Sequence, residues 1–433
     1  MRTERLHTKS VFVTVSFSHV FGTNSQLKPS CLARTRNSKS RRPSVARRTQ
    51  TQSEMSLALT ATLVHAMCFV ASPSRRAVLA TAPSMAMSSS MSSSPSTGRS
   101  TPFEHMLTSI EVTGVRIPVA IWRPANTPVA NAQTYPYCID IGKIAAKLKV
   151  GFLAWLPRFD YNLPCGTADQ IVSPPPGFSN ARSGSCLLFA HGFLGSIYDF
   201  AHAAEALAAD GFTVVAPELP ESLSASYRPP DGLTRDEIIA CARTLIDDES
   251  AEAGGAAKPV NQWGIFGHSA GAGSALMQRG DYRLGRACLA TGFRQGYAGM
   301  DPLFLCASDG DGCTKFMATD LRSALEADAS ARCTFFGSLD DAYPSPTASL
   351  PKRGAFIFAD DNSPSPLPCH ISFLWSEVDE AMASLLSPLL PLAKALGLFL
   401  LDFDVYLETR DADRTAAQVV PALRRFFLSS AAD

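Results

Sequence analysis

Residues 262–278 read Gln-Trp-Gly-Ile-Phe-Gly-His-Ser-Ala-Gly-Ala-Gly-Ser-Ala-Leu-Met-Gln, and their order decides the fold. Gln262–Gly267 is an apolar run of strand length. Ala270–Gln278 is a helix opened by small residues, and Gly267-His268-Ser269-Ala270-Gly271 joins the two as G-x-S-x-G. So sharp a passage from strand to helix forces the Ser into a sparsely populated backbone conformation, where side chains at its flanks would collide. Glycine at both flanks relieves the collision and leaves the hydroxyl exposed at the strand's C-terminal end. The pentapeptide alone is weak; the strand before it and the helix after it supply the context that the motif requires.

The same alternation extends outward. Upstream, Cys186–Ala190 is an apolar run ending at His191-Gly192 and reads as a buried parallel strand. A helix pattern from Ile197 to Asp210 closes at Gly211, and Phe212–Pro217 is the next strand. Thr234-Arg-Asp-Glu237 is a capping box opening a helix to about Asp247. Downstream, Cys288–Thr291, Leu303–Ala307 and Ala355–Ala359 are short apolar runs, and Asp413 is expected to cap a last amphipathic helix through Phe427. Near the start, Ile110–Arg123 alternates like an antiparallel edge hairpin around Gly114. Together these predict an α/β fold: a mostly parallel central sheet with helices on both faces and an N-terminal antiparallel hairpin. It forms one domain over residues 101–433, with an inserted segment at about 124–184.

With these motifs in place, residues 106–428 resemble the α/β-hydrolase superfamily. Ala190-His191-Gly192-Phe193-Leu194-Gly195 looks like its oxyanion loop. The text from Ile197 to Tyr227, with ADGFTVVAPELPES at 209–222, looks most like platelet-activating-factor acetylhydrolases and chlorophyllases, which also place Gly-His-Ser at the elbow. Ala272 stands where those families commonly carry a second Gly, which leaves the choice between them open.

The resemblance implies a triad in the order Ser, acid, His. Ser269 is the expected nucleophile. Five histidines follow the first hundred residues. His105 precedes the first strand, His202 lies inside a helix, and His191 and His268 belong to the two backbone motifs, which Gly192, Gly267 and Gly271 complete. His370, beyond the last strand run, is therefore the expected base. The segment Pro302–Asp311 looks like the strand-then-Asp stretch that carries the acid in many members. Asp311 is the first choice, Asp309 and Asp301 follow, and Asp360 and Asp361 come next should those three fail. The expected oxyanion donors are the backbone N–H groups of Phe193 and Ala270.

Two apolar stretches bear on substrate. Val150–Pro157 precedes the core sheet, and Leu385–Phe403 follows His370. Pro388, Pro391, Lys394 and Asp402 argue against a membrane-spanning helix in the second. Both read either as plain core packing or as a lid and acyl pocket facing a lipid surface.

The chain has 433 residues, 39 Lys+Arg and 39 Asp+Glu. The zero balance gives no general argument for nucleic-acid binding. It is a cancellation, because residues 1–100 hold 14 basic and two acidic residues, so the remaining 333 hold 25 and 37. That leader also has 21 Ser, an organelle-targeting composition. Within it, Met55 opens an apolar stretch at 56–70 that contains Ala66-Met67-Cys68 followed by Phe69, resembling the bipartite presequence of algal plastids of secondary origin. A plastid location is expected, with Met1 or Met55 as the start. Eleven Cys occur without a C-x-x-C or metal spacing, and no cofactor motif is present. The expectation is a cofactor-independent serine ester hydrolase acting on a small hydrophobic ester, with association at a membrane surface. A phospholipid is the first substrate choice and chlorophyll the second. Acyl transfer is a third possibility, and a non-catalytic lipid- or hormone-binding protein is the alternative from another class.

Overall fold

The computed structural model describes residues 100–130, 134–147, 155–166, 184–223, 232–252, 262–290, 301–313, 333–336, 353–358, 366–395, 397–398 and 400–432. Residues 1–99 of the expected leader, Val150–Ala154, Asp360 and Asp361 lie outside them.

A nine-stranded sheet organises the chain. In sequence its strands are β1 (Ser100–Val112), β2 (Val115–Ala130), β5 (Ser185–Ala190), β6 (Thr213–Pro217), β7 (Gln262–His268), β8 (Gly285–Leu289), β9 (Leu303–Ser308), β10 (Cys333–Phe336) and β11 (Arg353–Phe358). In space the order is β1-β2-β6-β5-β7-β8-β9-β11-β10. β1, β2 and β6 pair antiparallel and every later pair is parallel. The hairpin predicted around Gly114 is thus present but longer, and β1 is its edge. Its turn is Thr113-Gly114, both at positive φ, which matches the twist of the flanking strands. The inserted segment carries its own two-stranded antiparallel sheet, β3 (Thr134–Asp140) with β4 (Arg158–Pro164), and helix α1 (Ile141–Lys147).

Helices cover both faces because the strand residues are apolar on both. Along β5, Leu187 and Phe189 join the core that includes α2 (Ala201–Ala209) and α8 (Ala412–Ala432). Cys186 and Leu188 join the opposite core, with α3 (Arg235–Glu252) and α4 (Ala270–Met277). Cys186 and Cys306 are buried strand residues, as their apolar setting predicts. The ends are fixed by local chemistry. Thr234 N–H donates to Glu237 Oε2 at 2.9 Å while Glu237 N–H donates to Thr234 Oγ1 at 3.3 Å, a reciprocal cap on α3. The last helix starts one residue before Asp413: Thr415 N–H donates to the Asp411 carbonyl at 2.9 Å, so Asp411 holds the capping position and Asp413 lies in the first turn. A buried pair, Arg424 with Asp210 at 2.6 and 2.7 Å, fastens α8 to the end of α2. Among the described residues no helix is long and apolar enough to cross a membrane.

Candidate active site

The C-terminal ends of β5, β7 and β9 bring the site together. Ser269 follows β7 at φ 56° and ψ −119°, a conformation that L-residues rarely adopt. Its N–H donates to the Leu289 carbonyl at 2.9 Å and its carbonyl accepts from Gly273 N–H at 3.2 Å. A Cβ on Gly271 would lie 1.9 Å from the Ala190 carbonyl oxygen, and one on Gly267 would lie 2.3 Å from that of Gly271. Glycine is required at both flanks by backbone proximity.

Asp311 lies just beyond β9, and His370 opens a short 3₁₀ turn, Ile371–Phe373. His370 Nε2 is 2.9 Å from Ser269 Oγ, and His370 Nδ1 is 2.9 Å from Asp311 Oδ2. Asp311 and His370 are buried and Ser269 is half-buried. With Nδ1–H donated to the carboxylate, Nε2 is left to accept the hydroxyl proton. The other two aspartates are not brought to His370. Asp301 pairs with Arg286 at 2.7 Å, and Asp309 occupies the turn after β9, half-buried.

Phe193 lines a cavity beside Ser269, and Ala270 opens α4, where the first N–H groups lack intrahelical acceptors. The Gly192–Gly195 loop is held from several sides. Gly195 N–H donates to the Gly192 carbonyl at 3.1 Å, Leu194 sits at φ 57°, and its N–H donates to the Glu221 carbonyl at 3.2 Å. His191 Nε2 accepts from Leu219 N–H at 2.9 Å, so the proton is on Nδ1, which donates to the Gly192 carbonyl at 2.9 Å. Burial, with the Arg235 charge nearby, lowers His191 to about 3. The Glu218 oxygen at 3.7 Å from Nε2 therefore faces a neutral ring. His268 donates from Nε2 to the His370 carbonyl at 3.2 Å, and burial, then the His370 charge, lowers it to about 3.

Arg235 has a role that the sequence reading missed. Its guanidinium donates to Ser274 Oγ on α4 at 2.9 Å, to Glu221 at 2.8 Å and to the His191 carbonyl. In the sequence it shows only as the residue inside a capping box. The structure also gathers Asp311, Cys313 and His370 with donor atoms within 4.8 Å of one another. That set could hold a soft divalent ion only by competing for the Asp311–His370 hydrogen bond. No linear spacing foreshadows it.

The cavity encloses about 200 Å³ and is lined overwhelmingly by aliphatic side chains. Ile141 and Ile144 of α1 and Leu156 form one wall. Met382, Leu386 and Leu390, on α5 (Ser376–Leu386) and α6 (Leu390–Ala395), form another. Leu398, Leu400, Leu401 and Phe403 complete it, so described residues between Leu386 and Phe403 contribute to the cavity wall. Asp199 is the carboxyl group in this lining, and burial pushes it well above the usual range.

The sequence profile of the alpha/beta hydrolase family matches residues 187–430. No curated protein sequence matches the chain at a significant level. Solved structures resemble it distantly. A member of the α/β serine hydrolases without a lid, from Xanthomonas campestris, is 12% identical over 61% of this chain and 97% of its own, with a TM-score of 0.30. The ferulic acid esterase of Streptomyces cinnamoneus is 16% identical over 52% and 68%, with a TM-score of 0.27. The acylaminoacyl peptidase of Pyrococcus horikoshii is 11% identical over 62% and 38%, with a TM-score of 0.33.

Proposed function

The chain belongs to the alpha/beta hydrolase family, and on that footing we propose that it is a serine carboxylic-ester hydrolase acting on hydrophobic lipid esters. The observation that carries the reading is the hydrogen-bonded series Asp311–His370–Ser269 at the edge of an apolar cavity. Ser269 Oγ attacks the ester carbonyl as His370 Nε2 takes its proton, and Asp311 stabilises the imidazolium. The Phe193 and Ala270 N–H groups receive the oxyanion, a contribution of roughly 3–4 kcal/mol per donor. His370 returns the proton to the leaving alcohol and then activates water against the acyl-enzyme. This chemistry needs no cofactor.

A phospholipid of the kind cleaved by acetylhydrolases is the first substrate, on the resemblance of residues 209–222, and the phytyl ester of chlorophyll is the second. Trp155, 57% exposed beside the cavity-lining Leu156, supports a mouth that draws substrate from a membrane surface. The Arg- and Ser-rich first hundred residues support import into a plastid, which a fluorescent fusion of residues 1–100 in an alga with secondary plastids tests.

The central experiment is labelling with a fluorophosphonate probe, followed by turnover of p-nitrophenyl esters, phospholipids and chlorophyll. Labelling lost in Ser269→Ala, with turnover of one ester class, is expected. An unlabelled, inactive protein that still binds lipid would favour the non-catalytic reading.

A further inference from the structure

Asp402 stands where the two loops carrying Asp311 and His370 meet. One of its carboxylate oxygens, Oδ2, accepts from Gly312 N–H at 2.5 Å and from His370 N–H at 3.3 Å. Gly312 is the immediate neighbour of Asp311, so this single oxygen is bonded next to the acid and at the base itself. The approach is close: a Cβ on Gly312 would lie 2.3 Å from Asp402 Oδ1. Asp402 is in turn held at the start of a helix. It adopts a left-handed conformation, φ 61° and ψ 14°, in which Asp is one of the better-tolerated residues. Its carbonyl accepts from Tyr406 N–H at 3.0 Å at the start of α7 (Phe403–Thr409). Its neighbours Leu400, Leu401 and Phe403 line the cavity.

The two loops need such a tie. Asp311 and His370 are 59 residues apart and share one side-chain hydrogen bond. A carboxylate accepting two backbone N–H groups makes charge-assisted bonds that are stronger and more directional than neutral ones. We infer that Asp402 is a positioning residue: it locks the acid loop to the base loop and anchors both to the cavity wall. The inference rests on the proposed roles of Asp311 and His370. It assigns Asp402 no contact with substrate.

The test is kinetic, on the full chain with a short p-nitrophenyl ester, with His370→Ala measured alongside. Misplacement of a catalytic group by about 1 Å costs on the order of 100-fold. Asp402→Ala is therefore expected to lower kcat 10- to 100-fold with KM within about twofold. Asp402→Asn, whose amide oxygen can still accept both N–H groups, is expected to recover at least a third of wild-type kcat. Gly312→Ala drives a methyl against the carboxylate and is expected to resemble Asp402→Ala. The double variant Asp402→Ala/Gly312→Ala is expected to be no worse than either, because truncating Asp402 makes the room. The proposal is overturned if Asp402→Ala keeps kcat within threefold of wild type, if Asn rescues no better than Ala, or if the two losses multiply. If Asp402→Ala does not fold, Asp402→Asn at a third or more of wild-type kcat together with Gly312→Ala at least tenfold down supports the clamp, and any other result overturns it. Full activity in His370→Ala would instead remove the reading on which the clamp rests, a distinct outcome.

Discussion

Arg286 Nε donates to Asp301 Oδ2 at 2.7 Å, at the end of β9 opposite to the one that presents Asp311. The same guanidinium donates to the Ala275 and Gln278 carbonyls and lies over the Tyr282 ring at 4.5 Å, so Asp301 completes a joint between α4 and β8. Two aspartates ten positions apart in sequence are separated by the length of a strand, roughly 20 Å at 3.3 Å per residue. Their substitutions should therefore fail in different ways.

Asp311→Asn keeps the shape but removes the charge facing His370 and should lower turnover roughly 10⁴-fold with little change in stability. Asp301→Asn should leave turnover within about threefold and cost about 1–3 kcal/mol of stability, because a nearly buried guanidinium loses its charged acceptor. Steady-state kinetics and urea denaturation of both variants check the pair. Equal catalytic losses would remove Asp311 from the special position assigned to it.

Ser269→Ala and His370→Ala should each reduce turnover by several orders of magnitude, on the order of 10⁶-fold where residues act as a unit. The double variant should be little worse than either single one. Losses that multiply would mean that the two residues, though 2.9 Å apart, do not share a step.

The cavity wall predicts chain-length selectivity. Ala393 on α6 lines the cavity, and a larger side chain there takes up room that the proposed acyl chain would need. Ala393→Phe should reduce kcat/KM for long-chain p-nitrophenyl esters at least tenfold and leave the acetate ester within about threefold. Uniform loss across chain lengths would point to an effect on the elbow and against an acyl pocket.

What was legible in the sequence was whatever depends on local patterning. The strand–elbow–helix at 262–278, β5, β6, β9 and the reciprocal cap of Thr234 and Glu237 all follow from apolar runs and capping chemistry. β3 was obscured because Pro136 lies inside it and argues against a strand, although Tyr135, Tyr137 and Ile139 alternate toward the core. β10 is four residues long, too short to show a period. Asp402 read only as a charge unfit for a membrane, and Arg235 only as part of a helix start. Both act on backbone groups brought near by folding, which no linear pattern records. For the same reason the direction of β9 separates Asp301 from the other two aspartates, and only the folded turn after β9 brings Asp311 rather than Asp309 to His370.

Buried rings make part of the stability depend on pH. Burial lowers His191, His202 and His268 to about 3 and His105 to about 4, against an unfolded value near 6.5. The fold holds these rings neutral, so their contribution is fully present above pH 6.5 and is lost as pH falls toward 3–4. At pH 4.5 each costs on the order of 3 kcal/mol. Glu205 opposes them: burial raises it to about 7, so its contribution is present below its unfolded value of 4.5 and lost as pH rises through 7. Asp199 and Asp379, whose carboxyls burial also pushes well above the usual range, act in the same direction as Glu205, so the pH dependence between 7 and 4.5 is the difference between two opposing sets of buried groups. His202, stacked on Phe200 at 5.6 Å, has no hydrogen-bond partner for either ring nitrogen among the described residues. His202→Phe should lose less stability than the wild type between pH 7 and 4.5, read as the difference of the two urea midpoints, and an identical loss in both would mean that His202 does not contribute.

The site is assembled from sequence-distant parts, with Ser269 and His370 101 positions apart. In kinetic terms that makes catalytic competence a late product of folding. Helices such as α3 and α8 can form from local contacts in microseconds, and the β1–β2 hairpin needs only its own turn. The parallel pairings β7–β8, β8–β9 and β9–β11 each require a long crossover to close before any contact rewards it. Only after those closures, and after the chain has returned from β11 to set His370 against the elbow, can a proton move. On refolding from urea, esterase activity is thus expected to return after the helical signal, reporting completion of the sheet's far half, which no measure of secondary structure resolves.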